Sequence, residues 1–568
     1  MTAERRSLSQ NAARARRASA LVAAVVALGL VTLTGCSTRQ LAVPTPTARG
    51  GTLHVLVDHQ VGTWDPQRIE QRADAVFAGR TFLRTLTAPA PAGSGFLPGL
   101  LGDLATSTGT ERDDGRLWSF TLVTNAPWQD GRFVTCADVK YGVSRGFARD
   151  RVAGGPTNAV DVLDVPTYND PQRHTVSAYE GPYSGKGQAF FDWAVTCDGQ
   201  VITFRLNQSR YDFAQIVSTA AFAPVRQDQD TARTTTLSVF SSGPYMLEGV
   251  WKPGEGGRFV RNRRWLSLED PVRLAWPDVI EVEEAVAITT LVQRLVDDRG
   301  DDRNAITWAD APAAMSPQLT LPALASRVTR PDSGVVDVLV RSSDSTVMAD
   351  PAVRAAFSLA TDRDGYAAAT GSPMTAVTSA LAQNIPGRPE EPDAGPGTGD
   401  VDAARSALAT AGASGPVPVR VAYPAGEAFV RGLAALTRGW TRAGFAVALV
   451  PREPGKAPPT PAADVTLVSE SAAWPSGGAV LPALVARIGD PTLTAAAAQA
   501  AAQPRTTDRD AAWGALDATL VAAGDLVPLA ERQRLLVRGS GVLGYQENAL
   551  LGGLPDLAAI EVTHDDPG

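Results

Sequence analysis

The chain has 568 residues, with 60 acidic against 52 basic side chains and a net charge of −8. That length exceeds one core and predicts two or three domains, and the acidic balance excludes the basic footprint of a nucleic-acid binder. After a single N-terminal apolar run there is no second long apolar segment, so the body reads as soluble.

In chain order, Arg5, Arg6, Arg14, Arg16 and Arg17 precede an apolar run at 21–33. The run is shorter than the roughly 20 residues a membrane-spanning helix needs, and a basic region before a short apolar one reads as a secretory signal. It ends in Leu33-Thr34-Gly35-Cys36, which resembles the bacterial lipobox. That resemblance implies that residues 1–35 are removed and that Cys36 becomes the lipid-modified N-terminus. Residues 36–49, polar and proline-bearing, then read as a flexible tether. Of three cysteines, Cys136 and Cys197 remain once Cys36 is assigned. An even remainder in an oxidising compartment predicts one disulfide between them, two buried free thiols being the alternative.

Residues 51–57 alternate Leu53, Val55 and Val57 and predict a strand, as do 118–122 and 202–206. Residues 351–361 predict a helix, with Asp350 as N-cap, Pro351 at its first position, and Val353, Phe357 and Ala360 on one face. A second helix is predicted at 401–410, stopping before Gly412. Val417, Val419, Val421 and Tyr423 alternate as a strand, 427–443 reads as a helix closed by Gly444, and 446–450 returns as a strand. This β–helix–β order is an α/β unit. Residues 385–400 and 452–464 are loops. No repeat of 20–50 residues is apparent.

Motifs for bond chemistry are missing. The four histidines are His54, His59, His174 and His564, and no cysteine or carboxylate cluster joins the first two into a metal site. Asp362-Arg363-Asp364-Gly365 lacks full calcium-loop spacing. The glycines of 539–544 match GxGxxG without a following βαβ unit and read as a turn. There is no phosphate-binding GxxxxGK[ST] and no GxSxG elbow. These observations favour a binding body without cofactor or metal over an enzyme.

A series of segments resembles one family. Gly50-Gly51-Thr52-Leu53, Thr63-Trp64-Asp65-Pro66, 97–105 (LPGLLGDLA), 118–122 (WSFTL), 128–132 (WQDGR) and 134–143 (VTCADVKYGV) occur in order. They are followed by 202–206, Ala223-Pro224-Val225, Ser242-Gly243-Pro244-Tyr245, 261–265 (RNRRW), 353–357 (VRAAF) and Thr361-Asp362-Arg363. The series is similar to the extracellular solute-binding proteins of peptide and nickel ABC transporters, family 5.

The resemblance implies an α/β, periplasmic-binding-protein-like type II fold, with two hinged lobes and an extra domain inserted in the first. The implied boundaries are 50–80 and 201–330 for the first lobe, 81–200 for the extra domain, 331–525 for the second lobe, and 526–568 for a return to the first. Cys136 and Cys197 then both fall in the extra domain. The implied function is capture of oligopeptides or a related small solute by hinge closure and delivery to an ABC permease with its ATPase subunits. The protein would be a monomer on the extracytoplasmic side of the cell membrane, held by its lipid. A scaffold that has lost transport and acts as a sensor is the alternative.

Glu70, Gln71 and Arg80 fall where the family lines its cleft, and Tyr245 is expected on the same side. The second lobe departs from the pattern. Many members carry an aspartate before an aromatic–proline pair, holding the peptide amine, where this chain has Ala473 before Trp474-Pro475. Glu470 is the nearest acid and the candidate to replace it, and Trp474 is the candidate to pack over a ligand. Arg341 stands where the family often has asparagine.

Overall fold

The computed structural model describes residues 49–94, 99–151, 154–171, 175–232, 236–390, 397–453 and 462–563. The expected signal peptide, Cys36, nearly all of the expected tether, Leu97, Pro98, His174 and His564 lie outside the described residues. Residues Gly50–Gly568 form one unit, built around three principal sheets.

The first lobe carries a mixed five-stranded sheet. Thr52–Leu56 lies inside it, next to an edge, parallel to the central strand Val279–Glu283 on one side and to the edge strand Ala305–Thr307 on the other. The hairpin Tyr245–Lys252 and Gly256–Arg261 extends it antiparallel beyond Val279–Glu283. The alternation seen in the sequence is used on both faces. Leu53, Val55 and Val57 enter one core with Phe77, Phe259 and Ile280, while Leu56 enters another with Leu291, Val292 and Leu295. Trp64 of the Thr-Trp-Asp-Pro segment is buried among Phe77, Phe82, Trp251 and Phe259, with ring centroids 5.1–6.4 Å away.

The extra domain holds a four-stranded antiparallel sheet in the order Thr110–Arg112, Leu117–Thr121, Val201–Arg205, Val195–Asp198. Trp118, Phe120, Ile202 and Phe204 fill its core face, and Ser119 and Thr203 pair across the other at 2.9 Å. Thr135 begins the helix Cys136–Arg145 with a reciprocal cap against Asp138. Cys136 in its first turn is bonded to Cys197, Cα atoms 5.9 Å apart and 61 residues apart in sequence. Closing a loop of that length stabilises by about 4 kcal/mol in the chain-entropy view. The last residue of the helix, Arg145, ties the extra domain to the first lobe. Its guanidinium donates to both oxygens of Asp65 (2.8 and 2.5 Å), to Gln67 (2.6 Å) and to Asp230 (2.9 Å).

The second lobe is a six-stranded sheet with helices on both faces. Val417–Pro424 and Phe445–Arg452 run parallel through the crossover helix Glu427–Ala443. Gly444 ends that helix at φ +110°, in the left-handed region that glycine reaches without strain. Asp350 caps Pro351–Leu359 through the Ala352 N–H (2.8 Å), and Asp400 caps Val401–Thr410 through Ala403 (2.8 Å). Asp362 is itself a helix cap, accepting from Gly365 N–H at 2.8 Å to start Arg363–Thr370. Trp440 stacks on Phe357, centroids 4.5 Å apart, and donates to Thr361 at 3.1 Å. Val336, Val338 and Val340 face one helical layer and Leu339 the other.

Two chain segments run between the lobes, and they pair with each other. Val328 and Thr329 are opposite Val537 and Leu536, and Asp332 is opposite Gln533. The strand Leu526–Gln533 carries Glu531, a buried carboxylate whose Oε2 accepts from Gln383 N–H at 3.0 Å. Burial pushes that carboxyl up to about 7; the Gln383 N–H pulls the other way, and Asp332 adds to the rise.

Candidate functional site

A cavity of about 290 Å³ lies between the two lobes. One wall is the helix Arg72–Thr81. Arg72, Ala75, Val76, Gly79, Arg80 and, just beyond its end, Leu83 face the space at the three- and four-residue steps of one helix face. Ile69 and Glu70 precede them, and Thr85, Ala88, Pro89, Ser218, Thr219 and Arg273 extend the wall. The opposite wall is Ser471 to Pro475 of the second lobe, and Leu550 and Leu551 of the C-terminal return close one side.

The charged groups on the first wall are differently supported. Arg80 is buried, and its guanidinium meets Asp556 at 2.8 and 3.0 Å and the Pro89 carbonyl at 3.1 Å. Burial opposes ionisation of Asp556, but Arg80, the Asn548 amide and the N–H groups of Ala558 and Ala92 outweigh it and hold the carboxyl below its usual range. Arg273 is fixed with Arg84 between Asp103 and Asp270, at 2.7–3.1 Å. Burial opposes the charge on Asp103 as well, yet the two guanidinium groups hold its carboxyl low.

Glu70 is exposed to the cavity and accepts the Gly155 N–H at 3.2 Å. Gly155 is at φ +72°, and a Cβ there would meet the Gln67 carbonyl at 2.2 Å, so this close approach requires glycine. Arg72 donates to the Leu550 carbonyl at 3.3 Å. Burial and the neighbouring charge of Arg534 lower its pKa to about 10.

The structure brings together three of the six residues expected at the ligand: Glu70, Arg80 and Trp474. Trp474 lines the cavity, is 9% exposed, and donates through Nε1 to Asp212 at 3.0 Å. Its ring also joins the core of the extra domain, so it clamps the second lobe as well as bounding the space. The other three lie elsewhere. Gln71 is the exposed residue just before the helix and is not on the lining face. Tyr245 is 2% exposed in the first-lobe core, and its hydroxyl donates to the Pro277 carbonyl at 2.7 Å. Glu470 alternates with Ser469 and Ser471 on its strand; its carboxylate approaches Arg487 at 3.9 Å on the far face, away from the cavity. Ala473 lines the cavity, so the second wall has no acid. Arg341 pairs with Asp525 at 2.6 Å and does not line the cavity either.

Arg72, Ser218, Thr219 and Asn158 were not expected from the sequence, although all line the cavity. For Arg72 a signal exists: it is two helical turns before Arg80, on the same face, whereas Gln71 is not.

Two α/β lobes, paired connecting segments, an inserted domain and a cavity between the lobes define a two-lobed solute-binding protein. The model of the bacterial extracellular solute-binding proteins, family 5 (middle region), matches residues 99–486, and the chain belongs to that family. No curated protein matches the sequence. Among solved structures, the chain is similar to clavulanic acid biosynthesis oligopeptide binding protein 2, with 25% identity, TM-score 0.79, and coverage of 92% of this chain and 97% of that one. It also resembles the Escherichia coli murein tripeptide binding protein MppA (19%, TM-score 0.65, covering 92% and 100%). A third is a substrate binding protein from Microbacterium hydrocarbonoxydans complexed with 4-hydroxybenzoate hydrazide (18%, TM-score 0.61, covering 90% and 100%). Family 5 members are binding proteins of the extracytoplasmic side. Among the described residues no helix is long and apolar enough to cross a membrane.

Proposed function

We propose that this chain is the lipid-anchored solute-binding component of an ABC importer, and that it captures peptides or a small related solute between its lobes. The observation that carries the reading is the cavity, whose walls come from both lobes and from the C-terminal return. A site assembled from two lobes is completed by their closure, which turns ligand binding into a change of shape that a permease can read. The peptide class is supported by the oligopeptide and murein tripeptide binding proteins among the similar structures, and the hydrazide complex extends the range to a small aromatic solute. Glu70, free on one side, is the acid in this cavity suited to a ligand amine. Cys36 at the end of the lipobox-like segment supplies the anchor, which keeps the binding protein concentrated near its membrane partner.

Native mass spectrometry of the chain purified gently from its own host tests the reading. Adducts that fragment into amino acids are expected. A protein that is empty and shows no thermal shift with pooled short peptides would remove the peptide reading and favour a scaffold that no longer transports. Cys36→Ser is expected to move the protein from the membrane fraction into the medium.

A further inference from the structure

Four charged side chains line the cavity: Glu70, Arg72, Arg80 and Arg273. Arg80 and Arg273 are answered by buried aspartates, and Glu70 by a backbone N–H. Arg72 differs. Among the described residues no carboxylate stands within ion-pair distance of it, and its one hydrogen-bond acceptor is the Leu550 carbonyl. The charge that acts on it is another cation, Arg534, which spends its own contacts on the Gly552 carbonyl (2.7 Å) and Asp310 (3.2 Å). The backbone is shaped around the Arg72 fork. Gly552 lies at φ +73°, and a Cβ there would stand 2.9 Å from the guanidinium carbon.

A guanidinium partly drawn out of water without a counter-charge carries a cost, and a like charge beside it adds to that cost. The rest of this wall shows that the chain can supply buried aspartates to its arginines, and it supplies none here. The missing anion is then expected from the solute. A planar fork matches a carboxylate with two parallel hydrogen bonds. The volume lies just below the roughly 300–1,000 Å³ common for ligand sites, and Ile69, Val76, Leu83, Trp474 and Leu551 give it apolar walls.

We propose that Arg72 is the carboxylate anchor of the solute site and that it selects small carboxylate-bearing solutes with an apolar body, such as di- and tripeptides with a free C-terminus. The proposal rests on the reading of this cavity as the solute site.

Calorimetric titration of the full chain in mild detergent tests it, using Ala-Phe, Leu-Leu and Ala-Ala-Ala, each as free acid and as C-terminal amide. The native chain is expected to bind at least one free acid about tenfold or more tighter than its amide. Arg72→Gln is expected to bind both forms alike, at the amide's affinity, and Arg72→Lys to keep part of the preference. Ligand-free Arg72→Gln should melt no lower than the native chain, because it loses an uncompensated cation; a clearly lower melt would mark Arg72 as a structural residue and overturn the proposal. Equal binding of acids and amides by the native chain, or a preference surviving in Arg72→Gln, overturns it while leaving the peptide reading intact. Binding of none of the six probes removes both.

Discussion

The two walls of the cavity are built on opposite plans. The first-lobe wall carries all four charged lining groups, and its arginines Arg80 and Arg273 are locked by Asp556, Asp103 and Asp270. The second-lobe wall, Ser471 to Pro475, carries no charge, and its one large side chain, Trp474, is held by Asp212 outside its own lobe. Under the proposed function, charge recognition would fall to the wall whose arginines are already paired with aspartates, and closure to the neutral wall, where Trp474 meets Asp212. Where the family resemblance implied an acid before the aromatic–proline pair, this chain has Ala473, so the four charged lining groups all stand on one wall.

The comparison can be broken hardest at Asp556. Asp556→Ala leaves Arg80 buried beside the cavity without its partner and is expected to destabilise by about 3–5 kcal/mol, read by urea denaturation. A loss below roughly 1 kcal/mol, the range of exposed pairs, would mean that Arg80 is not locked and is free to meet a solute. On the second wall, Trp474→Phe keeps the ring but removes the donor to Asp212. A loss of about 1–3 kcal/mol is expected for the stranded carboxylate, with a larger radius of gyration in solution scattering. An unchanged radius would show that the indole does not hold the wall in place.

A third effect, seen only as a pH dependence, is expected at Glu531 on the strand Leu526–Gln533. Its carboxyl is raised from 4.5 to about 7 in the fold, burial being the largest cause. The folded state therefore holds a proton that the unfolded state has released across that interval. Stability from this group is complete below pH 4.5 and falls as pH rises to 7. Glu531→Gln should flatten this decline by up to about 3 kcal/mol, seen as melting temperatures that converge with the native chain's at low pH. A decline of equal slope in both proteins would place the pH dependence elsewhere.

Much of the fold was legible because its signals are local. The helix Glu427–Ala443 is bounded by strand alternation before it and Gly444 after it, and Val401–Thr410 by Asp400 and Gly412. The helix expected at 351–361 ends at Leu359, with Ala360 as its cap. The site was less legible. Arg80 has the composition of a ligand-binding residue, but the aspartate that occupies it is 476 residues away, and no spacing rule reaches that far. Glu470 looked suitable by proximity, and the strand pleat sends it to the wrong face. Tyr245 sits in a motif of the family for reasons of packing, which a motif does not distinguish from binding. Arg72 was hidden by a helix start placed only by the structure, since Gln71 makes no side-chain cap that would announce it.

The separation between Arg80 and Asp556 also bears on how the molecule is made. At roughly 5–20 residues per second of synthesis, Asp556 appears on the order of 25–95 s after Arg80. Through that interval the first wall cannot be finished, while the second lobe's sheet, from Asp332–Arg341 to Leu526–Gln533, is complete earlier. The wall that carries the four charged lining groups is thus the part whose folding must wait longest, and a chain truncated before residue 556 would keep the second lobe's sheet while Arg80 lacked its buried partner.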